Sequence, residues 1–217
     1  VPLPMTLTLF YRSRSPAGGR SPVRFLLQAL LLVTVLVVSL QTGFARPNIL
    51  FCISDDQSYQ HTGANGAPVI KTPAFDRVAN EGLRFTNAFC DAPTCGPSRS
   101  AILTGQSIWR LEEAGNIHST LPAKFATYTD ELRKAGYKVG ATGKAWGPGR
   151  LEAGGRTENP AGPLFEGRTL DPPFRMMRNT DYAGNFDDFM AEVDGDESFC
   201  FWLGTSEQHR AFEAGSG

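Results

Sequence analysis

The run "NILFCISDDQ", Asn48 to Gln57, decides how the rest of the chain is read. Ile49 to Ile53 are apolar without a break. A continuous apolar stretch of this length predicts a strand buried on both faces, as in a parallel sheet. Two aspartates end it. In open parallel sheets ligands gather at the carboxyl ends of the strands, so a carboxylate pair there marks a candidate site. Adjacent like charges repel unless a cation holds them, and hard oxygen ligands suit Ca²⁺ or Mg²⁺. A helix cap or a solvated turn is the plain alternative for Asp55 and Asp56.

Outward from that strand the pattern alternates. "TPAFDRVANEG" has Thr72 at the N-cap, Pro73 at the first helical position and Gly82 at the C-cap, with Phe75, Val78 and Ala79 as the expected buried stripe. "LRFTNAF" (83–89) reads as a strand. "TDELRKAG" ends a helix at Gly136, and "YKVGAT" is a strand that stops at Gly143-Lys144. Residues 147–173 are rich in Gly and Pro without periodicity and read as a loop region. "NFDDFMAEV" then places Phe186, Phe189, Met190 and Val193 at helical spacing, and "SFCFWLGT" is another buried strand. The order β-α-β-α-β-α-β predicts an α/β fold, a mostly parallel sheet with helices on both faces. The sequence stops at "EAGSG" with no closing element, so the expected sheet is incomplete at the C-terminus.

Composition bounds the class. With 41% apolar and 20% charged residues in 217, the balance is that of a globular protein. The charge is uneven. Residues 1–45 contain Arg12, Arg14, Arg20 and Arg24 and no acid, leaving 17 basic against 22 acidic residues in the remainder. A mildly acidic body gives no reason to expect nucleic acid as a partner. Those arginines precede the apolar run Phe25 to Leu40, followed by small Gly43 and Ala45. Together they read as a secretory signal with a basic extension over 1–45. The expected localisation is therefore exported, periplasmic or secreted, with membrane anchorage if the signal is not cleaved. Export permits disulfides, but Cys52, Cys90, Cys95 and Cys200 show no metal-site spacing. Cys52 and Cys200 lie in apolar strands, where a buried free cysteine is the ordinary expectation.

Four further positions could carry chemistry. Cys95 opens "CGPSR", with Pro97 suited to a first helical turn. The amides of such a turn make an anion site, Arg99 adds a planar cationic fork, and a cysteine placed there is a reactive thiol. A structural cysteine in a turn is the alternative. Lys144 at a strand end could hold an anionic oxygen or be solvated. His209, in the polar loop "SEQHRAFE" after a buried strand, could act as a general acid. His61 and His118 read as loop residues. "DGDE", Asp194 to Glu197, lacks a twelve-residue calcium-loop pattern and reads as a solvated turn.

These segments resemble the type I sulfatase family. "PTCGPSRSAILTG" is similar to its signature around a modified cysteine. "RPNILFCISDDQ" resembles its metal-binding strand, and "AGYKVGATGKAWGPG" its second signature. The "GKAWGPG" and "HR" details are most similar to the sulfamidase, or heparan N-sulfatase-like, branch. The resemblance implies an alkaline-phosphatase-like fold, with residues 46–217 as the N-terminal part of the catalytic domain. It implies hydrolysis of a sulfate ester or N-sulfate, on a small molecule or glycan. Cys95 would be oxidised to Cα-formylglycine by a separate converting enzyme, and its hydrate would attack sulfur. Asp55, Asp56 and the modified Cys95 would face a Ca²⁺ ion, with Mg²⁺ the other choice. Arg99 and Lys144 would offset charge on diol and sulfate, and His209 would serve the leaving group. Two departures follow. Trp146 stands where the family usually has histidine, and the family's remaining metal ligands come from a later strand that this sequence does not contain. The expectation is a fragment inactive by itself. A phosphonate or phosphodiester hydrolase of the same superfamily, and a non-catalytic exported protein, are the competing readings.

Overall fold

The computed structural model describes Leu26, residues 46–173 and residues 177–209. The expected export signal, Arg210 and the expected C-terminal break lie outside the described residues. Three strands form the sheet: β1 (Ile49–Ser54), β2 (Lys138–Gly143) and β3 (Phe199–Thr205). They are all parallel, in the order β1-β3-β2. The last strand in sequence is therefore the central one, and all three carboxyl ends lie at one edge. Ile49 sits opposite Cys200 and Val139 beside the same residue, so side chains of matching parity share a face.

One face is covered by α2 (Cys95–Thr104) and α3 (Tyr128–Lys134). There Trp202, Ala141 and Leu103 are fully buried, and Phe51 packs on Trp202 with ring centroids 4.7 Å apart. Val139, Cys200 and Tyr137 continue that layer toward Tyr128 and Leu132 of α3. Helix α3 begins with a capping box: Thr127 accepts from the Asp130 amide, and the Asp130 carboxylate accepts from the Thr127 amide. The opposite face is covered by α4 (Tyr182–Ala191), whose N-cap Asp181 accepts from Gly184 N–H. Phe189 of α4 lies 4.6 Å from the Phe201 ring and 5.3 Å from Phe165. The expected α/β fold with helices on both faces of a parallel sheet is thus present.

Three expectations fail for one reason. Helix α1 (Pro73–Glu81) forms with Thr72 and Gly82 as its caps, yet none of its residues is buried. Phe75 and Val78 are exposed and Ala79 is only half-buried. "LRFTNAF" is not a strand, and Leu83, Phe85 and Phe89 are 87%, 74% and 92% exposed. β1 is not buried on both faces, since Leu50 and Cys52 are exposed. Helix α4 covers β2 and β3 but does not reach β1. The apolar residues on that side of β1, and those of 75–89, therefore have no facing layer among the described residues. Their periodicity states what they would bury, not that a partner is present.

The long aperiodic stretch is held by two isolated bridges, Leu164 beside Ala141 of β2 and Thr169 opposite Thr180, and by side chains. Arg156 donates to the carbonyls of Leu121 (3.1 Å) and Phe125 (2.6 Å). Asn185, fully buried in α4, accepts from Arg168 N–H and donates to the Arg168 carbonyl, at 2.9 and 3.2 Å.

Gly140 allows α4 to approach β2. A Cβ there would lie 2.6 Å from Phe189 Cδ2. Gly140→Ala is expected to lower the unfolding free energy by about 1–3 kcal/mol through overpacking, read as a fall in the denaturation midpoint at unchanged slope. The buried Cys200 thiol is pushed up to about 11 by desolvation. It stays protonated and shielded at mildly alkaline pH, so native alkylation should leave Cys200 unmodified while denatured protein labels there.

Candidate active site

The three strand ends and the start of α2 meet at one edge of the sheet. β1 delivers Asp55, whose N–H donates to the Thr205 carbonyl at 3.0 Å and extends the β1–β3 pairing by one residue. Its side chain is buried. One carboxylate oxygen accepts from Lys144 Nζ, and the other lies 3.4 Å from Arg99 Nη2. Lys144 reaches this point through two close approaches after β2. Gly143 has φ +66°, and a Cβ on Gly204 would lie 2.0 Å from the Lys144 carbonyl oxygen. Lys144 N–H donates to the Gly204 carbonyl at 2.9 Å.

Arg99, only 2% exposed, is the internal fastener of the site. Its Nη1 donates to the carbonyls of Lys144 (2.5 Å) and Ala145 (3.0 Å), and its Cζ lies 5.8 Å from the centroid of the Trp202 ring. Burial holds its pKa below the usual arginine value, and the Asp55 carboxylate offsets only part of that. It joins α2, β1 and the β2 exit rather than presenting a free fork.

Cys95 is the first residue of α2 and is half-buried. It borders two adjoining clefts, of about 570 and 410 Å³. The first is also lined by His118, Lys144, Trp146 and His209, and the second by Asp55, Asp56, Arg99 and His209. Asp55, Asp56, Cys95, Arg99, Lys144 and His209 thus all border one or both of these clefts, and Cys95 and His209 border both. Asp56 differs from its neighbour. It is exposed and has a left-handed backbone, φ 56°, a conformation aspartate tolerates better than most side chains. All four cysteines are free thiols in this structure.

Trp146 occupies its position as a packing residue. It is buried, its indole N–H donates to Ser100 Oγ at 2.8 Å, and its backbone exchanges hydrogen bonds with the Asn159 side chain. A Cβ on Gly149 would lie 2.2 Å from its ring, so the glycine after Pro148 makes room for the indole. His118, read from sequence as a plain loop residue, lines the larger cleft. No local signal in "NIHST" marks it, since its place follows from a loop packed on Gly96.

The family model for sulfatases matches residues 47–216. The chain belongs to the sulfatase family. An N-acetylgalactosamine-6-O-sulfatase of Bacteroides thetaiotaomicron is 36% identical over 118 residues, covering 52% of this chain and 23% of that protein. An N-acetylglucosamine-6-O-sulfatase of the same organism is 39% identical over 99 residues, covering 46% and 18%. The chain thus spans about a fifth of the length of these curated relatives. Among solved structures, one in complex with its substrate D-glucosamine-2-N,6-O-disulfate superposes with a TM-score of 0.55 at 23% identity, covering 77% of this chain and 36% of that one. A phosphonate monoester hydrolase of Agrobacterium radiobacter gives 0.55 at 17% identity, covering 76% and 42%. At these identities the likeness concerns the fold.

Sulfatases are generally metal-dependent, so the donor set matters. Asp55 and Asp56 have the right chemistry for a hard cation. Among the described residues, however, no group of three or more His, Cys, Asp or Glu is placed to share one ion. Two carboxylates fall short of a shell of about six to eight oxygens. The described residues do not by themselves fit a calcium ion.

The buried Arg99–Asp55 pair ties α2 to the end of β1. Arg99→Met leaves two carbonyls and a buried carboxylate short of a donor. The expected loss is about 3–5 kcal/mol of unfolding free energy, measured by chemical denaturation.

Proposed function

We propose that the protein hydrolyses a sulfate ester or N-sulfate through Cα-formylglycine made from Cys95. The observation that carries this is the position of Cys95. It opens α2 between two clefts that also take in His209, Lys144 and the acid pair, within an intact "CGPSR" kernel. The hydrate of formylglycine has two hydroxyls, and each has a task. One, as its oxyanion, forms a bond to sulfur while the bond from sulfur to the leaving oxygen or nitrogen breaks. His209 protonates that leaving atom. The second hydroxyl then gives its proton to His209, left unprotonated by the first step, its electrons form the aldehyde C=O, and the sulfate leaves with the bonding pair of the C–O bond. Water restores the hydrate. This is covalent catalysis with a built-in release step.

Lys144 places a cation at the cleft edge where negative oxygen accumulates. Arg99 keeps Lys144 and Asp55 in place through the bonds described above. Asp55 and Asp56 are offered as two ligands of a Ca²⁺ ion, with Mg²⁺ the alternative, whose other donors would come from outside the described residues. Arg178 and Glu166 on the rim of the larger cleft supply charged contacts for a sulfated sugar. That substrate class also agrees with the names of the 6-O-sulfatase relatives. Maturation would require a formylglycine-generating enzyme, and the basic, apolar and small-residue pattern of residues 1–45 supports export.

Coexpression of the full-length protein with a converting enzyme tests this. Mass spectrometry should find the Cys95 peptide in its aldehyde form, and the protein should release sulfate from p-nitrophenyl sulfate. Cys95→Ala should reduce turnover to background and Lys144→Met should lower kcat about 100-fold or more. An unmodified thiol, or phosphodiester turnover exceeding sulfate turnover, would replace this reading with a binding protein or a phosphodiester hydrolase respectively.

A further inference from the structure

β2 and β3 leave the sheet side by side, and both exits meet one side chain, Tyr182 of α4. We propose that Tyr182 and Glu207 are positioning residues for His209, holding the turn after β3 so that its imidazole reaches the leaving atom. The proposal rests on the reading of Cys95 as formylglycine and of His209 as the acid.

The turn is short and its bonds are specific. β3 ends at Thr205, and His209 N–H donates to the Ser206 carbonyl at 3.1 Å, closing a turn of four residues. Its first peptide is held from the side. Ser206 N–H donates to Glu207 Oε2 at 2.9 Å and to Tyr182 Oη at 3.2 Å. Tyr182 Oη in turn donates to both carboxylate oxygens of Glu207, at 2.8 and 3.0 Å. Ser206 is buried although it opens a polar turn, and Glu207 is half-buried. The carboxylate is therefore directed back at α4. A half-buried carboxylate is tolerated where its oxygens find donors, and the phenol and the Ser206 amide supply them.

Tyr182 is itself fixed. It is the first residue of α4, which already has its N-cap in Asp181, so its hydroxyl serves the turn rather than the helix. A Cβ on Gly143 would lie 2.4 Å from Tyr182 Cε1, so the ring lies against the residue before Lys144. Burial first, and the Glu207 carboxylate second, push the phenol pKa up, which keeps it a donor at neutral pH. One ring thus touches the β2 exit carrying Lys144 and the β3 exit carrying His209. Both of these residues border the larger cleft with Cys95. Tyr182 and Glu207 are not among the described residues lining either cleft, so they act through His209 and not on substrate. A general acid works only within hydrogen-bond reach of its target, and a displacement of about 1 Å can cost about 100-fold in rate.

The test uses the full-length protein coexpressed with the converting enzyme and three aryl sulfates with the same ring: p-nitrophenyl, phenyl and p-methylphenyl sulfate. p-Nitrophenolate leaves readily without a proton, and the more basic phenolates gain more from one. kcat/KM is read, because it covers the steps up to departure of the phenol and not the later release of sulfate. Tyr182→Phe keeps the ring against Gly143 and removes the hydroxyl. Glu207→Ala removes the carboxylate, and Glu207→Gln retains one oxygen acceptor. Tyr182→Phe and Glu207→Ala should lower kcat/KM for p-methylphenyl sulfate about tenfold or more, stay within about threefold of wild type on p-nitrophenyl sulfate, and Glu207→Gln should recover part of the loss. His209→Ala should show the same dependence on the leaving group, and adding Tyr182→Phe to it should cost nothing further. Equal losses on all three substrates would overturn the proposal, since a fold defect does not sense the leaving group. Wild-type rates in both variants, or additive losses in the double variant, would overturn it too. His209→Ala without leaving-group dependence would remove the role of His209 and this proposal with it. A wild-type protein that releases sulfate from none of the three would overturn the reading of Cys95 itself, an outcome visible before any variant is made.

Discussion

The Asp55 carboxylate, buried between Arg99 and Lys144, is the constraint on which the site depends. A charge taken out of water is tolerated only if it is paired and its oxygens are satisfied. Satisfying this one requires the end of β1, the exit from β2 and the body of α2 to converge. Arg99 then uses its remaining donors on the carbonyls of Lys144 and Ala145. Electrostatics and backbone hydrogen bonding thus fix the same three segments. Cys95 lies one helical turn before Arg99 and inherits its position from that arrangement.

The core is lopsided in a way that explains the missing strand. α2 and α3 seal one face across β1, β3 and β2 around Trp202. On the other face α4 stacks Phe189 on Phe201 and leaves Leu50 and Cys52 of β1 open. A strand at 83–89 would need a ladder partner and an apolar layer. The described residues offer neither, so Leu83, Phe85 and Phe89 remain exposed.

The glycines near the site act by absence. Gly204 and Gly143 let the β2 exit cross the end of β3, where any side chain would meet a backbone oxygen. Gly149 makes room for Trp146, whose indole is committed to Ser100. The loop carrying His118 packs on Gly96, whose missing side chain admits Ile117 and Pro148.

Much was legible in the sequence because it depends on near neighbours. The apolar runs 49–53 and 199–203 specified parallel strands, the Thr, Pro and Gly punctuation fixed the helix ends, and "CGPSR" marked a helix start with unusual chemistry. The convergence of Asp55, Lys144 and His209 was also readable, since strand ends in a parallel sheet share one edge. What local pattern could not supply was occupancy and direction. Whether the stripe of α1 meets a partner, whether Arg99 faces inward or outward, and which loop residues line the clefts at Cys95 all depend on contacts between segments far apart in the chain. Sequence periodicity sets which side chains prefer burial. Only the tertiary structure decides which of them find a surface to be buried against.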